Sequence, residues 1–170
     1  MISNRLIRAA LLSSFASAAS QGAQAQSCSV PQTLIPNTTI SINTCDPSYT
    51  SLVLCGAVVS GPAAVFKVNV GYPHALAFQV TPAVGTSFDP AIVVTGRQCD
   101  TGNCPLTADA SGPGGMEQLN LDLDSGSYYV VVTSLSSDLP ACGTAQIHFY
   151  ERTFGEGNDH DGIFRVRFEY

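Results

Sequence analysis

Tryptophan is absent from this 170-residue chain, and cations are scarce: seven Lys and Arg stand against thirteen Asp and Glu, a formal charge of −6. The one lysine, Lys67, and a few scattered arginines cannot lay out a phosphate-neutralising stripe, so nucleic acid is excluded as a partner. Charged residues are only 12% of the chain, yet apolar residues reach 45%. The apolar share is that of an ordinary globular domain and argues against wholesale disorder. Helical periodicity is missing from every window of eleven or more residues beyond the N-terminal leader. No later apolar run approaches the eighteen residues that a membrane-spanning helix requires. There is no Cys-x-x-Cys pair, and the three His are dispersed, so a zinc centre is not expected. Nor is there a Gly-x-Ser-x-Gly turn to expose a nucleophilic serine.

The leader is the first thing present. Arg5 and Arg8 precede an apolar stretch from Ala9 to Ala19, followed by Ala23-Gln24-Ala25. This is the order of a secretory signal peptide over 1–25, cleaved after Ala25, and it places the rest in the periplasm or outside the cell. The apolar stretch, at 1.5 Å per residue, reaches about 16 Å, half of a hydrocarbon core. What remains is one domain's length, enough for a single core. All six cysteines fall in the exported part. An even count in an oxidising compartment predicts disulfides, although six cysteines permit about 15 connectivities. The close spacing of Cys99 and Cys104 nominates that pair. Cys55 with Cys142 closes a long loop, and Cys28 with Cys45 follows by elimination.

The dominant signal is alternation of period two, the mark of half-buried strands. It runs through Phe66–Val70, Leu76–Val80, Leu119–Leu123, Tyr128–Val132, Ala145–Phe149 and Phe164–Tyr170, with shorter apolar runs at Ile40–Ile42, Leu52–Leu54 and Ile92–Val94. Turn-forming groups separate them: Gly61-Pro62, Gly71-Tyr72-Pro73, Asp89-Pro90, Gly112-Pro113-Gly114-Gly115 and Asp124-Ser125-Gly126. Eight or nine short strands with regular turns predict an all-β fold, an antiparallel, disulfide-stabilised β-sandwich of jelly-roll-like topology around one shared core. The sandwich is assigned to 26–152, and 153–170 to a polar linker plus a C-terminal strand or tail.

Several of these pieces occur in a familiar order. Gly61-Pro62 opens the strand Ala63-Ala64-Val65-Phe66-Lys67-Val68, and Leu76-Ala77-Phe78-Gln79-Val80 follows. Phe88-Asp89-Pro90-Ala91-Ile92-Val93-Val94 is an Asp-then-apolar strand, after which Cys99 to Gly115 forms a cysteine-bounded loop. Glu117-Gln118-Leu119-Asn120-Leu121 then leads to Leu123-Asp124-Ser125-Gly126-Ser127-Tyr128-Tyr129-Val130-Val131-Val132. From Ala63 to Tyr150 the chain resembles the bacterial pre-peptidase C-terminal domains, secreted β-sandwiches appended to extracellular proteases. The resemblance implies an accessory module for polysaccharide, surface or protein binding, or for maturation of a linked enzyme. It carries over no catalytic residue.

Candidate chemistry is sparse. Asp100-Thr101-Gly102 and Asp124-Ser125-Gly126 imitate the triplets of aspartic proteases, but 24 residues between them cannot build the second lobe that such a site needs. Turns explain both triplets. His74, His148 and His160 have no nucleophile set beside them in sequence, so no enzyme activity is expected. Glu156, Asp159 and Asp161, in a glycine-rich stretch, are the candidate ligands for calcium, and no other cofactor is expected. Asp122 and Asp124 are a weaker alternative. Gln146, His148 and Tyr150, with Arg152, share one polar face of a strand and mix an aromatic ring with hydrogen-bonding groups, as sugar-binding sandwiches do. The function expected is a secreted, non-enzymatic binding or surface-associated module for an extracellular polysaccharide, cell-surface or protein ligand. An accessory or inhibitor partner of an extracellular protease is the alternative from another class. A structural surface subunit joined through Ile163–Tyr170 is a third.

Overall fold

The computed structural model describes residues 27–54, 57–58, 61–96, 98–99, 106–135, 141–152 and 164–166. Among these residues the strands are β1 (Gln32–Thr33), β2 (Thr38–Asn43), β3 (Val53–Leu54), β4 (Ala57–Val58), β5 (Ala64–Val70) and β6 (His74–Pro82). They continue with β7 (Ala91–Thr95), β8 (Leu106–Ala108), β9 (Glu117–Leu123), β10 (Gly126–Thr133), β11 (Thr144–Glu151) and β12 (Phe164–Val166). Two five-stranded sheets form, in the orders β1-β5-β10-β7-β8 and β12-β9-β6-β11-β2, and β3 and β4 make a separate two-stranded ribbon. The expected β-sandwich is therefore present, with twelve strands among the described residues rather than eight or nine, ten of them in its two sheets. The additional strands are only two or three residues long, too short to show any period. The pairing is also not wholly antiparallel: β1 joins β5 and β12 joins β9 in parallel, both at sheet edges. The terminal strand thus adds to its own chain over 164–166, and its other expected residues lie outside the described ones.

Alternation decides which side chains meet. Phe78 lies between Leu119 and Phe149 in register, and the Phe78 and Phe149 rings stack with centroids 4.5 Å apart. From the first sheet Phe66, Val68, Ile92, Val94, Val130 and Val132 face them, all buried, in one cluster that fills the gap. Cross-strand pairs of this kind are the unit of sheet stabilisation.

The expectation of one shared core needs correction. Leu54, Ala63, Val65, Val93, Cys99 and Val131 form a second buried cluster, with Cys28, Leu52 and Tyr129 packed against it. These residues alternate with the core-facing ones, so the first sheet is apolar on both sides around Val65, Val93 and Val131, while Lys67 and Asn69 continue the outer face as polar residues. The runs Ala63-Ala64-Val65-Phe66, Ile92-Val93-Val94 and Val130-Val131-Val132 carry no polar alternate, as strands covered on both faces do.

The disulfides differ as well. Cys28 pairs with Cys99 and Cys45 with Cys142, with Cα–Cα separations of 5.4 and 4.9 Å. The three expected pairs, Cys99–Cys104, Cys55–Cys142 and Cys28–Cys45, are all excluded by these partners. Closeness in sequence misled because pairing here follows the sheet. Asn43 lies opposite Thr144 in the β2–β11 ladder, so continuing the register by two residues brings Cys45 opposite Cys142. Between them Thr44 and Gly143 exchange bonds: Thr44 N donates to the Gly143 carbonyl at 2.9 Å, and Gly143 N donates to Thr44 Oγ1 at 2.9 Å. Cys55 and Cys104 lie outside the described residues, as does the leader.

Candidate binding surfaces

The outer side of the first sheet is covered at Val65, Val93 and Val131 and polar only towards the strand ends, as at Asn69 and Ser127, so the broader polar sheet surface is the outer side of the second. Its rows can be read from the register. Ser41, Gln146 and Thr81 lie side by side in one, and Thr39, His148, Gln79 and Gln118 in the next. Tyr150, Ala77 and Asn120 form the third. The predicted face is therefore assembled: Gln146 and His148 are exposed, Tyr150 is half-buried, and the His148 and Tyr150 rings stack with centroids 4.8 Å apart. Ala77 beneath Tyr150 is fully buried, so the small alanine leaves the tyrosine ring room to lie against the sheet. Gln118 Nε2 donates to Asn120 Oδ1 at 3.2 Å, which fixes one amide of the neighbouring strand. Arg152 continues the line, held by its backbone N–H donating to the Ala75 carbonyl at 2.8 Å.

A second feature was not found by sequence reasoning. Where β5 ends and the chain crosses to the other sheet through Gly71-Tyr72-Pro73, the two layers leave a hollow of about 160 Å³. Asn69, Tyr72, His74 and Glu151 are the polar and aromatic side chains on its wall, with Pro36 and Leu76 among the apolar ones. Glu151 is opposite Leu76 in the ladder, so His74 is its diagonal neighbour, and His74 Nε2 lies 3.0 Å from Glu151 Oε1. The Tyr72 ring, 67% exposed, stands edge-on to His74 at 4.5 Å. Ser127 Oγ donates to Asn69 Oδ1 at 2.8 Å and orients that amide at the rim. Tyr72 and Glu151 are 79 positions apart, and no spacing rule links them. The readable signal was an aromatic residue between Gly and Pro, which such a turn must present to water.

The remaining candidates separate. Glu156, Asp159, Asp161, His160 and Asp100-Thr101-Gly102 lie outside the described residues. Asp122 and Asp124 sit at the end of β9, and no three His, Cys, Asp or Glu side chains among the described residues are grouped to hold a metal ion. Asp124-Ser125-Gly126 is the turn between β9 and β10, its Asp124 carbonyl accepting the Tyr128 hydroxyl at 2.9 Å.

At the opposite end of the sandwich an acidic group was also overlooked. Glu117, 2% exposed, accepts the backbone N–H of Ala110 at 3.0 Å and of Ser111 at 2.6 Å through Oε1. Asp89 is buried, and its Oδ1 has no hydrogen-bond partner. Asp109 titrates above its ordinary range, first because burial penalises its charge and then because Asp89 and Glu117 repel it.

No family model matches this chain, and no curated protein does. Among solved structures it is similar to the pre-peptidase C-terminal domain of a collagenase from Bacillus anthracis, a crystal structure at 1.0 Å. The two share 18% identity and a TM-score of 0.50, over 70% of this chain and 93% of that one. The likeness agrees with the fold expected from the sequence, a β-sandwich of the pre-peptidase C-terminal type. It establishes the fold alone. No helix among the described residues is long and apolar enough to cross a membrane, and the two disulfides fit an oxidising compartment.

Proposed function

We propose that this chain is a secreted, non-enzymatic binding module that takes an extended extracellular polysaccharide on the outer face of its second sheet. The observation that carries the reading is the in-register surface Gln146, His148 and Tyr150, flanked by Thr39, Gln79, Gln118 and Asn120. Donors and acceptors lie there in rows at the strand spacing of about 4.8 Å. Paired rings supply the flat apolar patch that a sugar face can cover, as aromatic side chains do at other interfaces. A ligand crossing the strands meets hydrogen-bonding groups at each step and exposes none of the core. The fold shared with a pre-peptidase C-terminal domain agrees with an accessory role.

Retention of the secreted form on insoluble polysaccharide and cell-wall resins tests this directly. The wild type is expected to be retained, and Tyr150→Ala and His148→Ala to elute early while melting near the wild-type temperature. Retention that both substitutions leave intact would remove the face from consideration.

A further inference from the structure

The hollow at the end of the sandwich has a different chemistry from the sheet face. Its wall carries a carboxylate and no lysine or arginine. Glu151 is 46% exposed and uses Oε1 toward His74, so it retains capacity to accept from a ligand. Tyr72 offers a ring face beside it, and the chain as a whole is negative, which draws cations toward it. A cation placed between a carboxylate and a tyrosine ring gains from both the charge and the ring quadrupole. Size narrows the ligand. At about 30 Å³ per water, 160 Å³ holds roughly five waters, far less than the several hundred Å³ of a typical small-molecule pocket. One ring fits, not a row of them. The Asn69 amide adds a polar contact suited to a ring hydroxyl, while His74, with Nε2 on Glu151 and Nδ1 toward the Pro73 carbonyl, positions the carboxylate.

We infer that this hollow, lined by Asn69, Tyr72, His74 and Glu151, is a subsite for a single sugar unit bearing a positively charged amino group. The inference deepens the polysaccharide reading and rests on it for ligand class, but it uses none of the residues of the sheet face. Glu151, positioned by His74, accepts the ammonium, Tyr72 stacks against the ring, and Asn69 at the rim holds a hydroxyl. N-acetylation of the amino group abolishes the charge and with it the reason for the sugar to enter.

Calorimetric titration of the oxidised protein with a β-1,4-linked glucosamine tetramer, and with its fully N-acetylated counterpart, tests this. The amino form is expected to bind at least tenfold more tightly. Glu151→Gln and Tyr72→Ala are each expected to weaken it tenfold or more, while Tyr72→Phe, which keeps the ring, retains binding. Thr107→Ala, at an exposed position of β8 that belongs to neither surface, leaves this titration unchanged. Equal affinity for the two tetramers, or a Glu151→Gln protein that binds as the wild type does, overturns the inference. So does preference for an arginine tetrapeptide over the glucosamine tetramer. A wild-type protein that ignores the glucosamine tetramer yet stays on polysaccharide resin through Tyr150 sinks the subsite alone. Tetramer binding that depends on Tyr72 and Glu151, together with resin retention that Tyr150→Ala and His148→Ala leave intact, sinks the sheet-face reading instead.

Discussion

Glu117 is the residue whose removal the structure prices most clearly. It occupies the inward parity of β9, in line with Leu119, Leu121 and Leu123, and its carboxylate reaches the loop after β8. Two backbone N–H groups converge on its Oε1, at 3.0 and 2.6 Å, and Gly114 N ties the same loop to the Phe88 carbonyl at 2.9 Å. A hydrogen bond to a charged acceptor contributes about 1.5–3 kcal/mol. Ala110 and Ser111 are exposed, so water can replace part of what Glu117→Ala removes. The lower end of the range then applies to each bond, about 3 kcal/mol in all. For a chain of this size that corresponds to a fall of roughly 6–12 °C in Tm. Glu117→Gln keeps an acceptor oxygen and relieves repulsion toward Asp109, so it is expected to cost less than about 1.5 kcal/mol. Urea unfolding followed by circular dichroism reads both, as a shift in midpoint with the slope preserved. An alanine variant within the error of the wild type, or a glutamine variant as damaged as the alanine, would refute the claim that these two bonds hold the loop.

Three further outcomes follow from the same geometry. Asp109 has a folded-state pKa raised above 3.8, so its ionisation costs stability as pH rises from there through the folded value; Asp109→Asn should therefore raise Tm at pH 7 and leave it unchanged well below 3.8, and a uniform shift at all pH values would contradict this. Cys45→Ser with Cys142→Ser opens a loop with a sequence separation of 97, expected to lower unfolding stability by about 4.7 kcal/mol in the chain-entropy model, while proteolytic mapping of the wild type without reductant should recover the Cys28–Cys99 and Cys45–Cys142 peptides; recovery of a Cys99–Cys104 peptide would negate the assignment. Gly143→Ala places a Cβ on the Cβ and Cγ of buried Phe88, so an overpacking cost of about 1–3 kcal/mol is expected in thermal unfolding, and a neutral result would mean that Phe88 moves freely.

Much of the sandwich was legible because period two is a direct record of which face is covered. Leu119, Leu121 and Leu123 alternate with amides and Asp122, and the structure buries the leucines. The same parity, carried back two residues, puts Glu117 inside, although a carboxylate in that position reads as polar surface. The strands β1 and β8 escaped notice because two or three residues carry no period, and their pairing depends on neighbours far away in sequence. The disulfides escaped for a related reason. Cys45 and Cys142 meet through the β2–β11 register, and that register is knowable only once the two strands are paired. The sheet face Gln146, His148 and Tyr150 was visible because it lies on one strand. The hollow was not, because Tyr72 and Glu151 come from a turn and a distant strand end, and only the crossing from one sheet to the other puts them together.

The asymmetry between the two sheets limits where a ligand can act. Val65, Val93 and Val131 are within 1% of complete burial on the outer side of the first sheet, covered by the Cys28 segment and the residues around Leu54. A ligand there would have to displace apolar cover that Cys28–Cys99 ties down, giving up buried area at about 25 cal/mol per Å² before making any contact. The second sheet carries no such cover over Gln146 and His148, and a ligand there displaces only water. The strand crossing at Gly71-Tyr72-Pro73 opens the sandwich without exposing its core, because Val70 and Leu76 on either side remain buried. Apolar runs that lack polar alternates thus mark the sheet face closed to ligands, and clean alternation marks the one left open. By that criterion, the outer face of β11 and the rim where β5 passes into β6 are the surfaces left open, and they are the two proposed above for a ligand.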